Sequence, residues 1–258
     1  MQDKHPDWHW QWSHLSDDSV FLFTEWIAPR TMDDFRDKTV ADAGCGGGQH
    51  TNFAAPVAKK IYAIDLNTAD LARERNKAFR NVSYVEGDIA RVKLPELVDV
   101  LYCIGVIHHT DDPDATFTHL RTLVKPGGLM IVWCYAKEGN FLNEYALEPI
   151  KRFFLLKLPK PILFAIAHLL TIVITPIVWT VYLLPSANHL PYFQYFQNWR
   201  KLSYYRNMLN VFDKLNAPQT QFITRERIGN WFNSQLFSDI VIQPYKGVSW
   251  HGSGRLKD

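Results

Sequence analysis

From residue 38 to about 137 the chain alternates short apolar runs with amphipathic polar stretches. Strand-length apolar runs separated by stretches of helical period are the pattern of repeated βα units, so a mostly parallel sheet is expected. The runs predict strands at 39–43, 60–65, 82–86, 98–104 and 129–135, with helices between them at about 48–58, 68–79 and 113–123. Lys125-Pro126-Gly127-Gly128 stops the last helix and turns the chain into the fifth strand. After residue 222 the order returns: a helix at 224–234, with Thr224 as its N-cap, and two closing strands at 238–243 and 246–250. The fold class expected is α/β, a three-layer sandwich around a mostly parallel seven-stranded sheet.

Two segments break this pattern. Residues 1–37 form a leader rich in Trp and His (Trp8, His9, Trp10, Trp12, His14, Trp26), with helical spacing only over about 19–28. Residues 138–221 form a long, aromatic and very apolar insertion after the fifth strand. Within it, 161–184 is long enough to cross a bilayer and has no Asp, Glu, Lys or Arg. Basic residues flank it on both sides, which gives no orientation, and Pro176 would kink a span. Three readings stay open: a helical cap over an apolar acceptor, a segment lying in a membrane surface, and a transmembrane helix. The organisation expected is therefore a leader at 1–37, a main domain at 38–137 and 222–258, and a cap at 138–221.

Composition narrows the classes. With 258 residues, 47% of them hydrophobic, the chain can bury one sizeable core. A net charge of +2 lacks the basic footprint of duplex binding, so nucleic acid is not an expected partner. Cys45, Cys103 and Cys134 are odd in number and sit in apolar runs, as core thiols in a reducing compartment would. Asp3, Asp7, Asp17 and Asp18 near the start, with no apolar run, do not read as a secretory signal, and a cytoplasmic protein is expected.

The chemistry concentrates at strand ends. Asp42 ends the first strand and is followed by Gly44, Gly46, Gly47 and Gly48 before a helix begins, a turn that lets a nucleoside cofactor approach the backbone closely. A dinucleotide fingerprint begun at Gly44 needs a small residue where this chain has Gln49, which weakens an NAD reading. The run instead satisfies DxGxGxG, and a cofactor with a cationic aminoacyl tail would use the Asp42 carboxylate. Asp65 ends the second strand, where a carboxylate can accept both ribose hydroxyls, and Asp88 follows the third, placed for an adenine amine with Ile89 against the ring. Three acids at successive strand ends of one sheet reinforce one another.

These residues, with Val98-Asp99-Val100-Leu101-Tyr102-Cys103-Ile104-Gly105-Val106-Ile107-His108-His109-Thr110, Asp112-Pro113 and Leu123-Val124-Lys125-Pro126-Gly127-Gly128, resemble the class I, seven-stranded S-adenosylmethionine-dependent methyltransferases. The likeness is strongest to the group similar to ubiquinone and menaquinone methylases. It covers roughly 38–137 and resumes weakly at 222–250. The resemblance implies S-adenosyl-L-methionine as cofactor. Asp42, Gly44 and Gly46 would line its methionine part, Asp65 with Leu66 the ribose, and Asp88 and Ile89 the adenine, with Cys103, Ile104 and Gly105 beneath the sulfonium. Substrate residues do not carry over, because the insertion stands where a minimal member has a short link.

Displacement at a sulfonium needs alignment and removal of the acceptor's proton. His108 and His109, the only His-His pair, follow the fourth strand and are the candidate bases. An adjacent pair on a strand end points to opposite sides, so no metal site is expected there. The leader aromatics would either fold over the cofactor as a lid or pack the leader onto the core, and packing is the expectation. The expected partner is a small-molecule or lipid-linked methyl acceptor, with a membrane surface as a further partner through residues 161–184. Two rival functions stay open: a cofactor-binding but inactive membrane-associated protein, and an NAD-dependent oxidoreductase.

Overall fold

The computed structural model of the chain describes residues 6–14 and 19–258, apart from the side chains of Pro6 and Asp7. Asp3, Asp17 and Asp18 of the expected leader lie outside the described residues. The first helices are α1 (Pro6–His14), α2 (Val20–Ile27), α3 (Gln49–Ala54), α4 (Ala69–Arg75) and α5 (Pro113–Arg121). The insertion holds α6 (Glu148–Phe153), α7 (Lys160–Val178), α8 (Phe193–Trp199) and α9 (Tyr204–Asn216), and α10 (Arg225–Trp231) follows it. The strands are β1 (Thr39–Ala43), β2 (Lys60–Asp65), β3 (Val82–Glu86), β4 (Val98–Ile104), β5 (Val124–Tyr135), β6 (Phe237–Tyr245) and β7 (Ser249–Leu256). They form one sheet in the order β3-β2-β1-β4-β5-β7-β6. The first five are parallel, and β7 runs antiparallel to both β5 and β6.

Period-2 alternation explains the two-sided core. Along β4, Leu101 and Cys103 join Phe117 of α5 and Ile228 and Phe232 on or beside α10 on one face. Val100, Tyr102 and Ile104 join Leu22, Phe23 and Trp26 of α2 on the other. Fully buried side chains of this size each contribute roughly 1.5–3 kcal/mol. The order reverses between β1 and β4, so the carboxyl edge there opens into a crevice where such folds bind ligands.

Four expectations change. The leader contains a second helix, α1, whose Trp10 and Trp12 pack against the insertion rather than lying irregular. The fifth strand starts at Val124, because Val98 pairs with Val124 and the Pro-Gly-Gly segment only bulges from the ladder, with Gly127 at φ +74°, before pairing resumes at Val100 and Leu129. The last strand spans Ser249–Leu256 instead of 246–250: Gly252 and Gly254 hide its strand character in the sequence, yet Gly252 is required. A Cβ on Gly252 would stand 2.7 Å from Phe232 Cε2, so only glycine lets β7 pass under that ring. The helices α3, α4 and α10 are also shorter than their patterns suggested.

The insertion leaves and re-enters the sheet at one point. Ala136 bridges Ile223, with Ile223 N–H donating to Tyr135 O at 2.9 Å and Lys137 N–H to Ile223 O at 2.9 Å. Its helices α7 and α9 pack together through Leu163 and Ala167 on one side and Met208, Phe212 and Leu215 on the other. α9 thereby lies over the carboxyl edge of the sheet, with Arg206, Leu209, Asn210 and Asp213 forming a roof.

Candidate active site

A cavity of about 410 Å³ runs along this edge beneath α1 and α9. The glycine turn forms its floor. Gly44 and Gly46 adopt φ of +86° and +54°, and their amides point into a tightly held loop: Gly44 N–H donates to Ile64 O at 2.8 Å and Gly46 N–H to Asp65 Oδ2 at 2.9 Å. Thr68 Oγ1 donates to Gly46 O at 2.7 Å, and Arg75 Nε to Gly47 O at 2.9 Å. The indole of Trp12 covers the turn so closely that a Cβ on Gly46 would stand 2.9 Å from it.

Of the residues expected at the cofactor, Gly44, Gly46, Asp65, Leu66, Asp88, Ile89, Ile104 and Gly105 line this cavity. Asp42 and Cys103 lie behind the wall. Asp42 is 1% exposed and accepts a 2.6 Å bond from Thr51 Oγ1 of α3. Its side chain turns from the strand end toward that helix, so the expected direct contact with an aminoacyl tail is replaced by a buried bond under the turn. Burial pushes its pKa up to about 7, against the lowering effect of Thr51. Cys103 alternates to the opposite face of β4 from Ile104 and sits in the core, its thiol pushed up to about 12 by burial.

The histidine pair divides in the same way. Both lie on a 3-10 turn, Ile107–His109, past the strand end, and their ring centroids are 4.1 Å apart, so they do not point to opposite sides. His108 is fully buried against Tyr135, away from the cavity, with neither ring nitrogen bonded among the described residues. Burial holds its pKa well below the ordinary histidine value. His109 lines the cavity, and its Nδ1 lies 2.7 Å from Gln219 O. A carbonyl can only accept, so Nδ1 carries the proton and Nε2 keeps its lone pair. Burial lowers the His109 pKa, opposed by the Asp213 carboxylate, so the ring is neutral at pH 7.

His109 also lines a second, smaller chamber of about 80 Å³ between the sheet and the insertion. Tyr135, Tyr195, Asn140, Asn143 and Lys214 contribute to its wall. Asp213 stands at the junction of the two spaces, accepting from Gln11 Nε2 at 2.9 Å and from Tyr135 O–H at 3.1 Å. The contributions of Gln11, Tyr135, Asp213 and Gln219 were not found in the sequence. They come from the leader, the end of β5 and the insertion, and only the packing of those segments joins them. The leader aromatics split between the two expected roles: Trp8 and Trp12 line the cavity, while Trp10 packs on Phe164 and Phe212 of the insertion.

The wall suits a cationic nucleoside better than a pyrophosphate. Five carboxylates line it (Asp65, Asp88, Asp111, Asp112, Asp213) against two guanidinium groups, Arg91 and Arg206. Gln49 fills the place where a dinucleotide would need a small residue, and its buried Oε1 has no hydrogen-bond partner among the described residues, which leaves an acceptor for an ammonium group. These residues fit S-adenosylmethionine.

Comparison with known proteins agrees. Residues 41–132 match the family model described as a methyltransferase domain. An uncharacterised protein of Synechococcus is 30% identical over 149 residues, covering 54% of this chain and 34% of its own. The ubiquinone biosynthesis O-methyltransferase of Cupriavidus pinatubonensis is 32% identical over 100 residues, 37% of this chain and 40% of that protein. The chain thus spans between a third and two fifths of the length of these two relatives. Among solved structures, an O-methyltransferase family protein from Burkholderia thailandensis superposes with a TM-score of 0.54 at 14% identity, covering 92% of this chain and 56% of that one. The N-methyltransferase NodS from Bradyrhizobium japonicum, in complex with S-adenosyl-L-homocysteine, superposes at 0.50 and 12% identity, covering 98% and 100%. At such identities these two likenesses speak for the fold. Residues 41–132 thus match a methyltransferase domain, and the seven-stranded sheet built around them, with its cavity at the carboxyl edge, agrees with that likeness.

Proposed function

We propose that this protein transfers a methyl group from S-adenosylmethionine to a hydroxyl oxygen of a small-molecule or lipid-like acceptor held between the sheet and the insertion. The observation that carries this reading is the position of His109, which lines both the cofactor cavity and the adjoining chamber and offers an unprotonated Nε2. When bound, the cofactor supplies an electrophilic methyl group on a sulfonium.

The chain's own residues do the rest. Asp65 and the glycine turn bind and orient, Trp8 and Trp12 exclude water from above, and Ile104 and Gly105 shape the floor. His109 Nε2 takes the acceptor's proton, while Gln219 holds the ring by accepting at its carbonyl and donating from Nε2 to His109 O at 3.0 Å. Asp213 steadies the charge that the imidazole gains. The choice of oxygen follows the curated relatives named as O-methyltransferases and the fit of a neutral imidazole to a hydroxyl proton. The apolar surroundings of the insertion support a lipid-like acceptor within the wider class.

The test is incubation of purified protein with methyl-labelled cofactor and a fractionated extract of host lipids and small metabolites, alongside calorimetry of the cofactor alone. Label should enter a hydroxyl-bearing compound. Cofactor binding without label in any fraction would remove the transfer reading and leave the binding site, whereas absent binding would remove both.

A further inference from the structure

α7 is apolar on both its inner and its outward side, whereas a surface helix of a water-soluble protein carries polar residues outward. Its few polar side chains are bonded locally: Thr171, which is buried, donates from Oγ1 to Ala167 O at 2.7 Å, half-buried Thr175 Oγ1 donates to Thr171 O at 2.7 Å, and half-buried His168 bonds Tyr204 Oη through Nδ1 at 2.8 Å. Its outward side carries Ile162, Leu169, Ile172, Val173 and Ile177, each between 44% and 61% exposed, along one stripe of helical period. The surface continues past both ends of the helix, to Phe153 and Phe154 before it and Trp179, Leu183 and Leu184 after it, all at least half exposed. Such an apolar face is far larger than the scattered exposed residues that need no explanation.

The charge pattern says what covers it. Between Glu148 and Asp213 the chain has no acidic residue. Arg152 and Lys157 precede the helix, and Arg200 and Lys201 follow it in sequence. Arg200 donates to Tyr182 O at 3.3 Å, which holds a guanidinium beside the helix's C-terminal end. An apolar stripe with cations at both ends is complementary to a bilayer surface bearing anionic headgroups. A second copy of this chain would bring like charges together. The helix is 19 residues long, enough by length and composition to span a membrane. Yet Leu163, Ala167, Thr171 and Val178 are fully buried along its inner side, within a cluster that includes Met208 and Phe212 of α9. A span would have to tear that packing apart, whereas a helix lying in the interface keeps it.

We propose that the outward half of α7, with the turn at Val181–Leu183, docks in the plane of a membrane surface rich in anionic lipid. The docking stands independently of methyl transfer. It is tested by co-sedimentation of the full chain with phosphatidylglycerol vesicles and with phosphatidylcholine vesicles, at low and high salt. Binding is expected to the anionic vesicles, weakened by salt, and to fall about fivefold for each of Arg152, Lys157 and Lys201 changed to Gln. The pair Leu169→Asp and Ile172→Asp, on the exposed stripe, should abolish it while leaving the circular dichroism spectrum and cofactor affinity as in the parent. Since those changes could unfold the helix, a second readout is quenching of tryptophan fluorescence by brominated lipid, part of which Trp179→Phe should remove. No sedimentation with either vesicle, equal binding to both at every salt concentration, or a concentration-dependent dimer that Leu169→Asp dissolves would each overturn the proposal.

Discussion

His109 and Gln219 clasp one another across 110 residues of sequence: the ring Nδ1–H donates to Gln219 O at 2.7 Å, and Gln219 Nε2 donates to His109 O at 3.0 Å. The first bond selects the tautomer and the second fixes the backbone that carries the ring. A loop at the end of β4 and the last residues of the insertion therefore form one unit at the junction of cavity and chamber.

His109→Asn should lower kcat by about 10²- to 10⁴-fold, the usual worth of a positioned base. Calorimetric affinity for the cofactor should change little. Because burial lowers the His109 pKa, the parent's rate should fall only as pH drops below the ordinary histidine range, when the ring becomes protonated. A parent profile with its acid limb at or above pH 6.5, the usual histidine value, would remove His109 as the base.

Asp65 receives Gly46 N–H at 2.9 Å and Asn67 N–H at 3.3 Å, and it lines the cavity. Asp65→Ala deletes both the anchor of the turn and the carboxylate offered to the ligand. Cofactor affinity should drop by about 30- to 100-fold, the scale of a lost charge-assisted hydrogen bond. Unchanged affinity would mean that the cofactor lies elsewhere.

The carboxyl of Asp42 has its pKa raised by burial to about 7 in the folded protein, from 3.8. Folding therefore takes up a proton, and the stability this contributes is full below pH 4, declines as pH rises through that interval and is gone above about 7. The ligand-free parent should thus lose Tm between pH 5 and 7.5 relative to Asp42→Asn, which keeps the shape and has no such titration. Parallel curves for the two proteins would count against a protonated Asp42.

Gly252→Ala should destabilise the fold by about 1–3 kcal/mol through overpacking against Phe232 and Ile228. Denaturant midpoints measure this. Cofactor affinity at a temperature well below unfolding should stay as in the parent, since β7 does not line the cofactor cavity.

Much of the sheet was legible because strands buried on both faces read as apolar runs, and four of the five parallel strands have the limits their runs predict. β7 was not, because its two glycines are poor strand formers, and Gly252 is there for the ring of Phe232 that β7 passes under. Gly44, Gly46, Asp65 and Asp88 could be placed at the cavity from sequence, since strand ends and the turn after the first strand put them at the carboxyl edge. Asp42 and Cys103 show the limit of that reasoning. A strand end tells which residue is near an edge, but the direction of its side chain depends on what packs behind it, here Thr51 for the carboxylate and the core for the thiol.

By itself, then, the sequence determined the α/β alternation, the glycine turn and its acidic partners, and the presence of an apolar stretch too long to be incidental, because each is written in local spacing. Tertiary structure alone decided which histidine faces the cavity, which residues of the leader and insertion roof it, and which half of α7 is left bare. Those are properties of contact between segments as much as 200 residues apart, such as Gln11 with Asp213. No local pattern encodes which of two adjacent imidazoles will be sealed in the core and which will find a carbonyl to hold it in place.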